Sequence, residues 1–387
     1  MEYLKRTWCE IHLDHLYYNI KQLQETAQKK LMGIVKADAY GHGDVYTAKV
    51  LQQAGIDFFG VSNVNEALNL RQAGIQGEIL VLGYTPVEMV QTLISNQITQ
   101  TVHCTEYAKL LNLQISGSQT LKVHLKIDTG MNRIGFVQNQ TADSTDEILA
   151  LKALQALTIC GIFTHFPCAD SFDLQDAAFT QQQITYFNQL IERLNANHLY
   201  FEVIHTQNSA GIINYANSVC NYARAGIAMY GLNPSSDIKT DLKLKPVLSL
   251  KTVVTMVKQV PQGVDIGYGR TYHTSRPMKI ATLPIGYADG YYRSFSNRAD
   301  ILLHGTRCKV VGRVCMDQLM IDVTHLEQVQ LGDIATVIGM DGKECITADE
   351  LAQLADTIHY EVVCSISKRV PRVYYQHGIE IGFLDHS

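Results

Sequence analysis

Several residues able to do chemistry stand at equivalent places in the first 230 residues, each just after an apolar run or closing one. Lys36 closes LMGIVK and leads through Ala-Asp-Ala to Tyr40; Arg133 follows LKVHLKID and Thr-Gly-Met-Asn; His165 closes the run around GIFTHF. Asn208 and Ser209 follow LYFEVIHTQ, and Arg224, Gly226 and Ile227 fall within CNYARAGIAMY. A lysine closing a strand is ordinarily a solvated cap, and only its company argues otherwise. Neighbouring arginines disfavour an ammonium, and a neutral amine condenses with an aldehyde. Tyr40, Ser209 and the backbone N–H groups of Gly226 and Ile227 make a donor set suited to a phosphate, since glycine permits close approach and small donors suit an anion. Ser209 also reads as the N-cap of a helix, a role compatible with the first. Arg133 by itself reads most plainly as half of a surface ion pair.

The elements that must position these groups repeat one unit: a short apolar run, a polar turn, an amphipathic stretch. Candidate strands fall at 31–36, 56–61, 78–83, 98–103, 121–128, 157–166, 199–207 and 220–230. Between them lie helical stretches such as DVYTAKVLQQAG and NEALNLRQAG, which end at glycine, a helix stop, and QQQITYFNQLIERLNAN. Eight such units predict a closed (β/α)8 TIM barrel, whose chemistry sits at the C-terminal ends of the strands, where the residues above lie. Beyond residues 232–246, where Asn, Pro, Ser and Asp cluster, the runs shorten, alternate and are broken by turns. The fold class expected is therefore α/β, with a barrel over residues 1–240 and a mostly-β C-terminal domain over 241–387.

Bulk properties narrow the partners. The 387 residues suit two domains, and 46% apolar with 18% charged residues describes a soluble globular chain. A net charge of −5 with interspersed signs offers no basic stripe, so nucleic acid is not expected and a small-molecule substrate is. No apolar run is long enough for a membrane helix, and MEYLKRTWCEI lacks a secretory pattern, which points to the cytoplasm. The nine cysteines show no CxxC spacing and read as reduced core residues; no metal site is expected.

Segment VKADAYGHG around Lys36 resembles the cofactor-lysine segment of the alanine racemase family. Seven further segments match in order: HLKIDTGMNRIG, GIFTHF, QNSAG, RAGIAMYGLNPS, GYGRTY, IGYADGYYR and GRVCMDQLMID. The resemblance implies an isomerase that uses pyridoxal 5′-phosphate, with Lys36 holding the cofactor and Tyr268 serving as the second base. Two bases are required because a proton removed and returned on one face restores the same enantiomer. A tyrosine of ordinary pKa, about 10, is a poor base and needs neighbouring help. The resemblance places Arg224 at the pyridine nitrogen, and because arginine does not readily give up its proton, that nitrogen stays unprotonated and the electron sink is weakened. His165 would link Arg224 to Tyr268. It further implies Tyr40, Asn208, Ser209, Gly226, Ile227 and Lys368 around the cofactor, and Arg133, Tyr287, Met316 and Asp317 around a small amino-acid substrate. Lys126 matches a lysine that many members carry as a carbamate. Tyr268 and Met316 would come from a second subunit, making a homodimer with shared sites. The product D-alanine would supply peptidoglycan precursors.

Lys368, in Ser-Ile-Ser-Lys-Arg-Val-Pro-Arg, stands where several members place a tyrosine, and Gln207 is a smaller departure. A serine or broad-specificity racemase of the glycopeptide-resistance type is therefore an alternative substrate reading. From other classes, a decarboxylase on the same barrel would want an acidic partner for the ring nitrogen and a catalytic cysteine, and a non-catalytic carrier of the cofactor would leave the β-domain and Tyr268 unexplained.

Overall fold

The computed structural model describes residues 3–216, 219–235, 238 and 240–385. Eight parallel strands close into a barrel: β1 (Lys30–Ile34), β2 (Phe58–Val61), β3 (Glu78–Val81), β4 (Ile98–Val102), β5 (Leu121–Asp128), β6 (Leu157–Phe163), β7 (Val203–His205) and β8 (Tyr222–Ala225). Closure is made by β8 against β1, with Tyr222 opposite Lys30 and Ala225 opposite Gly33. β2 and β4 are buried along their whole length, as parallel strands covered on both faces must be. All eight runs picked out by apolar character form strands, each shorter than its run or equal to it, because the residues past the last ladder bond turn out to carry the loops.

The helices outside obey the stop signals. Asp44–Gln53 and Val64–Gln72 are followed by Gly55 and Gly74 at φ 88° and 80°. After the second, Ile75 N–H bonds back to Leu70 O at 3.0 Å, which closes the last turn around a left-handed residue that only glycine adopts cheaply. Leu174–Ala196 is the longest helix among the described residues, with Asp173 accepting from Gln175 N–H at its start.

Contacts divide the chain into two compact units, the barrel over Tyr17–Ala39 and Asp44–Lys245, and a β-rich unit that takes in everything from Pro246, Tyr40–Gly43 and the chain up to Leu16. The first strand, Thr7–His12, runs antiparallel to Leu248–Val253 and parallel to Arg372–Gln376. This strand, close to the start of the chain, belongs to the β-rich unit. Of the segment 232–246, residues 236, 237 and 239 lie outside the described residues. The β-rich sheet runs Thr306–Lys309, Asp300–Leu303, Ile334–Asp341, Leu248–Val253, Thr7–His12, Arg372–Gln376, Ile379–Leu384. Leu248–Val253 alternates buried and half-buried residues, the pattern of a sheet with one face on a core.

Among the described residues no helix is long and apolar enough to cross a membrane, and no cluster of His, Cys, Asp and Glu is arranged to hold a metal. None of the nine cysteines is in a disulfide. Only Cys9, Cys160, Cys220 and Cys308 are buried, and Cys364 is exposed, so the expectation that they are core residues holds for fewer than half.

Candidate active site

Lys36 does not end β1; the strand stops at Ile34 and Lys36 opens a helical turn, Lys36–Gly41. That turn winds the wrong way. Ala37, Asp38, Ala39 and Tyr40 have φ of 53°, 53°, 53° and 54°. L-residues pay roughly 1–2 kcal/mol each for this conformation, so the surroundings must hold the four of them there. Ala37 N–H donates to Glu66 Oε1 at 2.9 Å, and Asp38 Oδ1 accepts from Asp44 N–H at 3.1 Å.

Arg224 on β8 is a buried hub. Its Nη1 donates to His205 Nδ1 at 2.7 Å and to His205 O at 3.2 Å; its Nη2 donates to Thr164 O at 2.9 Å, Thr206 O at 2.8 Å and His165 Nδ1 at 3.1 Å. A guanidinium has only donors, so His165 accepts at Nδ1 and carries its proton on Nε2. Burial first, and then the charges of Arg224, Arg133, Lys126 and Lys36, hold the His165 pKa well below its ordinary value. His165 is therefore a neutral N–H donor within electrostatic reach of four of the cations named from the sequence.

Lys126 lies inside the barrel on β5, almost fully buried, with Nζ donating to Ile127 O at 2.6 Å. Burial brings its pKa from 10.5 down to about 7; Asp128 opposes this, while Arg224 and Arg133 add to it. The turn after β5 is organised by Asp128: its carboxylate accepts from Gly130, Asn132 and Arg133 N–H at 2.9, 3.0 and 3.0 Å. Arg133 is thereby aimed by its backbone, and among the described residues no ion pair claims its exposed guanidinium, against the plainer reading of it as a surface pair.

After β7 the helix N-cap is Asn208, whose Oδ1 accepts from Gly211 N–H at 2.9 Å, and not Ser209. Ser209 Oγ instead accepts from Gly226 N–H at 3.0 Å and Ala228 N–H at 3.3 Å. Gly226 and Ile227 lie beyond the end of β8, which stops at Ala225. The N–H of Gly226 is thus turned to the hydroxyl, while Ile227 heads the 3-10 turn Ile227–Tyr230, where the first N–H groups have no partner inside the turn. With both N–H groups spent on its oxygen, Ser209 keeps its own proton to donate. Asn208 Nδ2 donates to Phe166 O at 3.2 Å.

The residues assigned to the second unit also come together. Tyr287 N–H bonds Cys315 O and Ala288 N–H bonds Met316 O, both at 3.0 Å. A Cβ at Gly286 would sit 2.3 Å from the carbonyl oxygens of Cys315 and Met316, so no side chain is admissible there. Tyr268 lies in the turn Tyr268–Arg270 beside Gly267, whose backbone packs on Arg313 N. Tyr268, Met316 and Tyr287 are 71%, 53% and 43% exposed. Asp317 accepts from Arg369 Nη2 at 2.6 Å, and Arg369 Nε donates to buried Asp289 at 2.8 Å, which also takes Arg6 Nη2 at 2.6 Å. Lys368 itself is exposed, on a turn whose carbonyls are gathered by buried Arg372, which donates to Ser367 O, Val370 O, Ile366 O and Gly41 O.

Asp128, Asp289, Arg369, Arg372, His205 and His124 escaped the sequence reading. One signal was available: Lys122, His124, Lys126 and Asp128 alternate through β5, a polar stripe on a strand that should be apolar on both faces. Asp289 carried none, since its charged partners, Arg6 and Arg369, come from two distant segments.

The alanine racemase N-terminal domain family matches residues 11–234 and its C-terminal domain family residues 247–374. The chain is 40% identical over 374 residues to an alanine racemase of Clostridium perfringens, covering 96% of each. It superposes on alanine racemase from Clostridium difficile 630 with a TM-score of 0.93 at 37% identity, covering 100% of both chains. It superposes equally, at 0.93 and 36% identity, on alanine racemase from Bacillus anthracis with bound L-Ala-P, covering 100% of this chain and 99% of that one. Neither the decarboxylase nor the carrier reading is favoured by these matches. Both halves of the fold, in order and over nearly the whole length, place the chain in the alanine racemase family, isomerases that depend on pyridoxal phosphate.

Proposed function

We propose that this protein interconverts L-alanine and D-alanine with pyridoxal 5′-phosphate, as a homodimer, supplying D-alanine for peptidoglycan. The observation that carries the reading is the Arg224 hub, which sets a buried guanidinium and a neutral His165 at the barrel mouth. The donor set fits the cofactor: Lys36 for the aldehyde, the Ser209 hydroxyl with Ile227 N–H and Tyr40 for the phosphate, and Arg224 as a donor to an unprotonated ring nitrogen. When bound, the cofactor supplies an electron sink that acidifies the α-hydrogen of an attached amino acid.

The chain's own groups do the rest. Lys36 takes or returns the proton on one face and Tyr268 of the second subunit does so on the other. His165, holding its proton on Nε2, donates to the tyrosine oxygen and so favours its ionised form. Arg133 grips the carboxylate together with the Met316 N–H, with Tyr287 and Asp317 completing the pocket; Asn208 and Lys368 stand at the cofactor side. The exposure of Tyr268, Tyr287 and Met316 supports a subunit contact there, since large apolar groups left exposed are what a partner covers.

Chiral chromatography of L-alanine and L-serine, incubated separately with purified protein and pyridoxal phosphate, tests the reading. Rapid conversion of alanine with slow conversion of serine is expected. Serine conversion at an equal or higher rate would reassign the substrate and make Lys368 the first residue to exchange, and no conversion of either would refute the racemase.

A further inference from the structure

Behind Arg224 the barrel interior holds two histidines for which the mechanism above has no use. His205 on β7 is fully buried and stacks on Phe163 at 4.6 Å between centroids and 7° between planes. Its Nδ1 is 2.7 Å from Arg224 Nη1, and its Nε2 is 3.1 Å from Nδ1 of His124 on β5. The direction of every proton in this chain is fixed by its first member. Arg224 can only donate, so His205 Nδ1 accepts; the proton of a neutral His205 then sits on Nε2 and is donated to His124 Nδ1; His124 in turn carries its proton on Nε2. Burial keeps both rings neutral, with His124 brought down to about 3 and His205 well below its ordinary value.

The seat of His124 is purpose-shaped. The β5–β6 ladder shifts register between Val123 and His124, and the residue opposite His124 is Gly161. A Cβ at 161 would lie 2.4 Å from both Cε1 and Nε2 of the imidazole. Phe58 presents its ring edge-on at 5.7 Å and 84°. On its far side His124 lines a cleft of about 350 Å³ at the N-terminal ends of the strands, with Lys30, Glu78, Lys122, Glu202 and Tyr222. The donors therefore run in one sense, from the mouth through the barrel to the opposite end.

We propose that His124 is a positioning residue for the racemisation: by accepting from His205 it holds that ring in the tautomer that can receive Arg224, and so fixes the orientation of the Arg224 guanidinium. Remove the acceptor and the His205 proton is free to move to Nδ1, where it faces a guanidinium N–H. The inference rests on the proposed function for its kinetic consequence, but its geometry can be checked without turnover.

The experiment uses the full-length holoenzyme labelled with 15N-histidine, as wild type, His124→Phe and His124→Gln. Long-range 1H–15N correlation spectra of the wild type are expected to show both His124 and His205 protonated on Nε2 only. In His124→Phe, which keeps volume but no acceptor, the His205 pattern changes, the bound cofactor's absorption band shifts, and kcat falls about tenfold with KM for alanine within about twofold. Gln at this position offers a carbonyl oxygen and restores the wild-type His205 pattern and most of kcat. A wild-type His205 protonated on Nδ1 overturns the proposal whether or not the protein racemises alanine. So does a His124→Phe variant with wild-type kcat and absorption. Should that variant not fold, a His124→Gln variant with an altered His205 tautomer and unchanged kcat overturns it equally.

Discussion

Lys126 gives the sharpest test of the site's electrostatics. Its pKa of about 7, against 10.5 for an ordinary lysine, leaves roughly half of it as free amine at pH 7, on the order of a thousandfold more than an exposed lysine has. A free amine adds carbon dioxide to give a carbamate and a proton, which converts a cation wedged between Arg224 and Arg133 into an anion that both attract. The stability consequence has a definite sign. The folded state resists protonation, so between pH 10.5 and about 7 the unfolded chain binds the extra proton and stability falls as pH falls; below about 7 both states are protonated and the loss is complete. The slope is about 1.4 kcal/mol per pH step, so from pH 9 to pH 7 the loss is on the order of 3 kcal/mol. Urea unfolding of wild type and Lys126→Met, with carbon dioxide removed, at pH 7 and pH 9, should show that loss in the wild type alone. Added 13C-bicarbonate at pH 8 should give a carbamate resonance in the wild type and none in the variant. A wild type and variant with the same pH dependence, together with no labelled carbamate, would refute the argument that burial frees this amine.

Further outcomes follow from the site and its frame. Borohydride reduction of the holoenzyme followed by peptide mass spectrometry should find the cofactor on Lys36, and Lys36→Ala should retain no covalently trapped cofactor. Tyr268→Phe should bind the cofactor normally and lose about 10²–10⁴-fold in kcat, the usual worth of a positioned acid–base group; retained racemisation sinks the two-base assignment. Asp289→Ala strips the acceptor from Arg6, Arg369 and Gly286 N–H, and should cost about 2–4 kcal/mol in urea unfolding once the partial exposure of Arg369 is discounted. Asp289→Asn, which keeps one acceptor, should recover part of that.

The barrel was legible because each apolar run had to be a strand covered on both faces, and the reactive residues because the loops that follow those runs collect at one end. What the runs could not show was which ones belong together. Thr7–His12, TWCEIH, carries Glu10 and His12 that interrupt its apolar character, and only its long-range pairing with Leu248–Val253 reveals it as a strand. Asn208 and Ser209 were placed at the right helix end, but the cap read for Ser209 is made by Asn208, because both residue types cap helices and the choice depends on the backbone conformation of a single residue. Arg224 was found and its supports were not: His205 and Thr206 contribute through ring nitrogen and carbonyls, and a carbonyl leaves no mark in a sequence.

The backward-wound turn at Lys36 has an evolutionary consequence. Its residues 37–40 are Ala, Asp, Ala and Tyr, with no β-branched member, and a Val or Ile there would add a steric clash to a conformation already disfavoured. Glycine is the opposite case: Ala37→Gly or Ala39→Gly would release about 1 kcal/mol of conformational strain and let the segment carrying the lysine wander. The alanines therefore mark a compromise between robustness and readiness. Selection for thermal stability alone should drift toward glycine at these positions, and selection for turnover should hold them fixed.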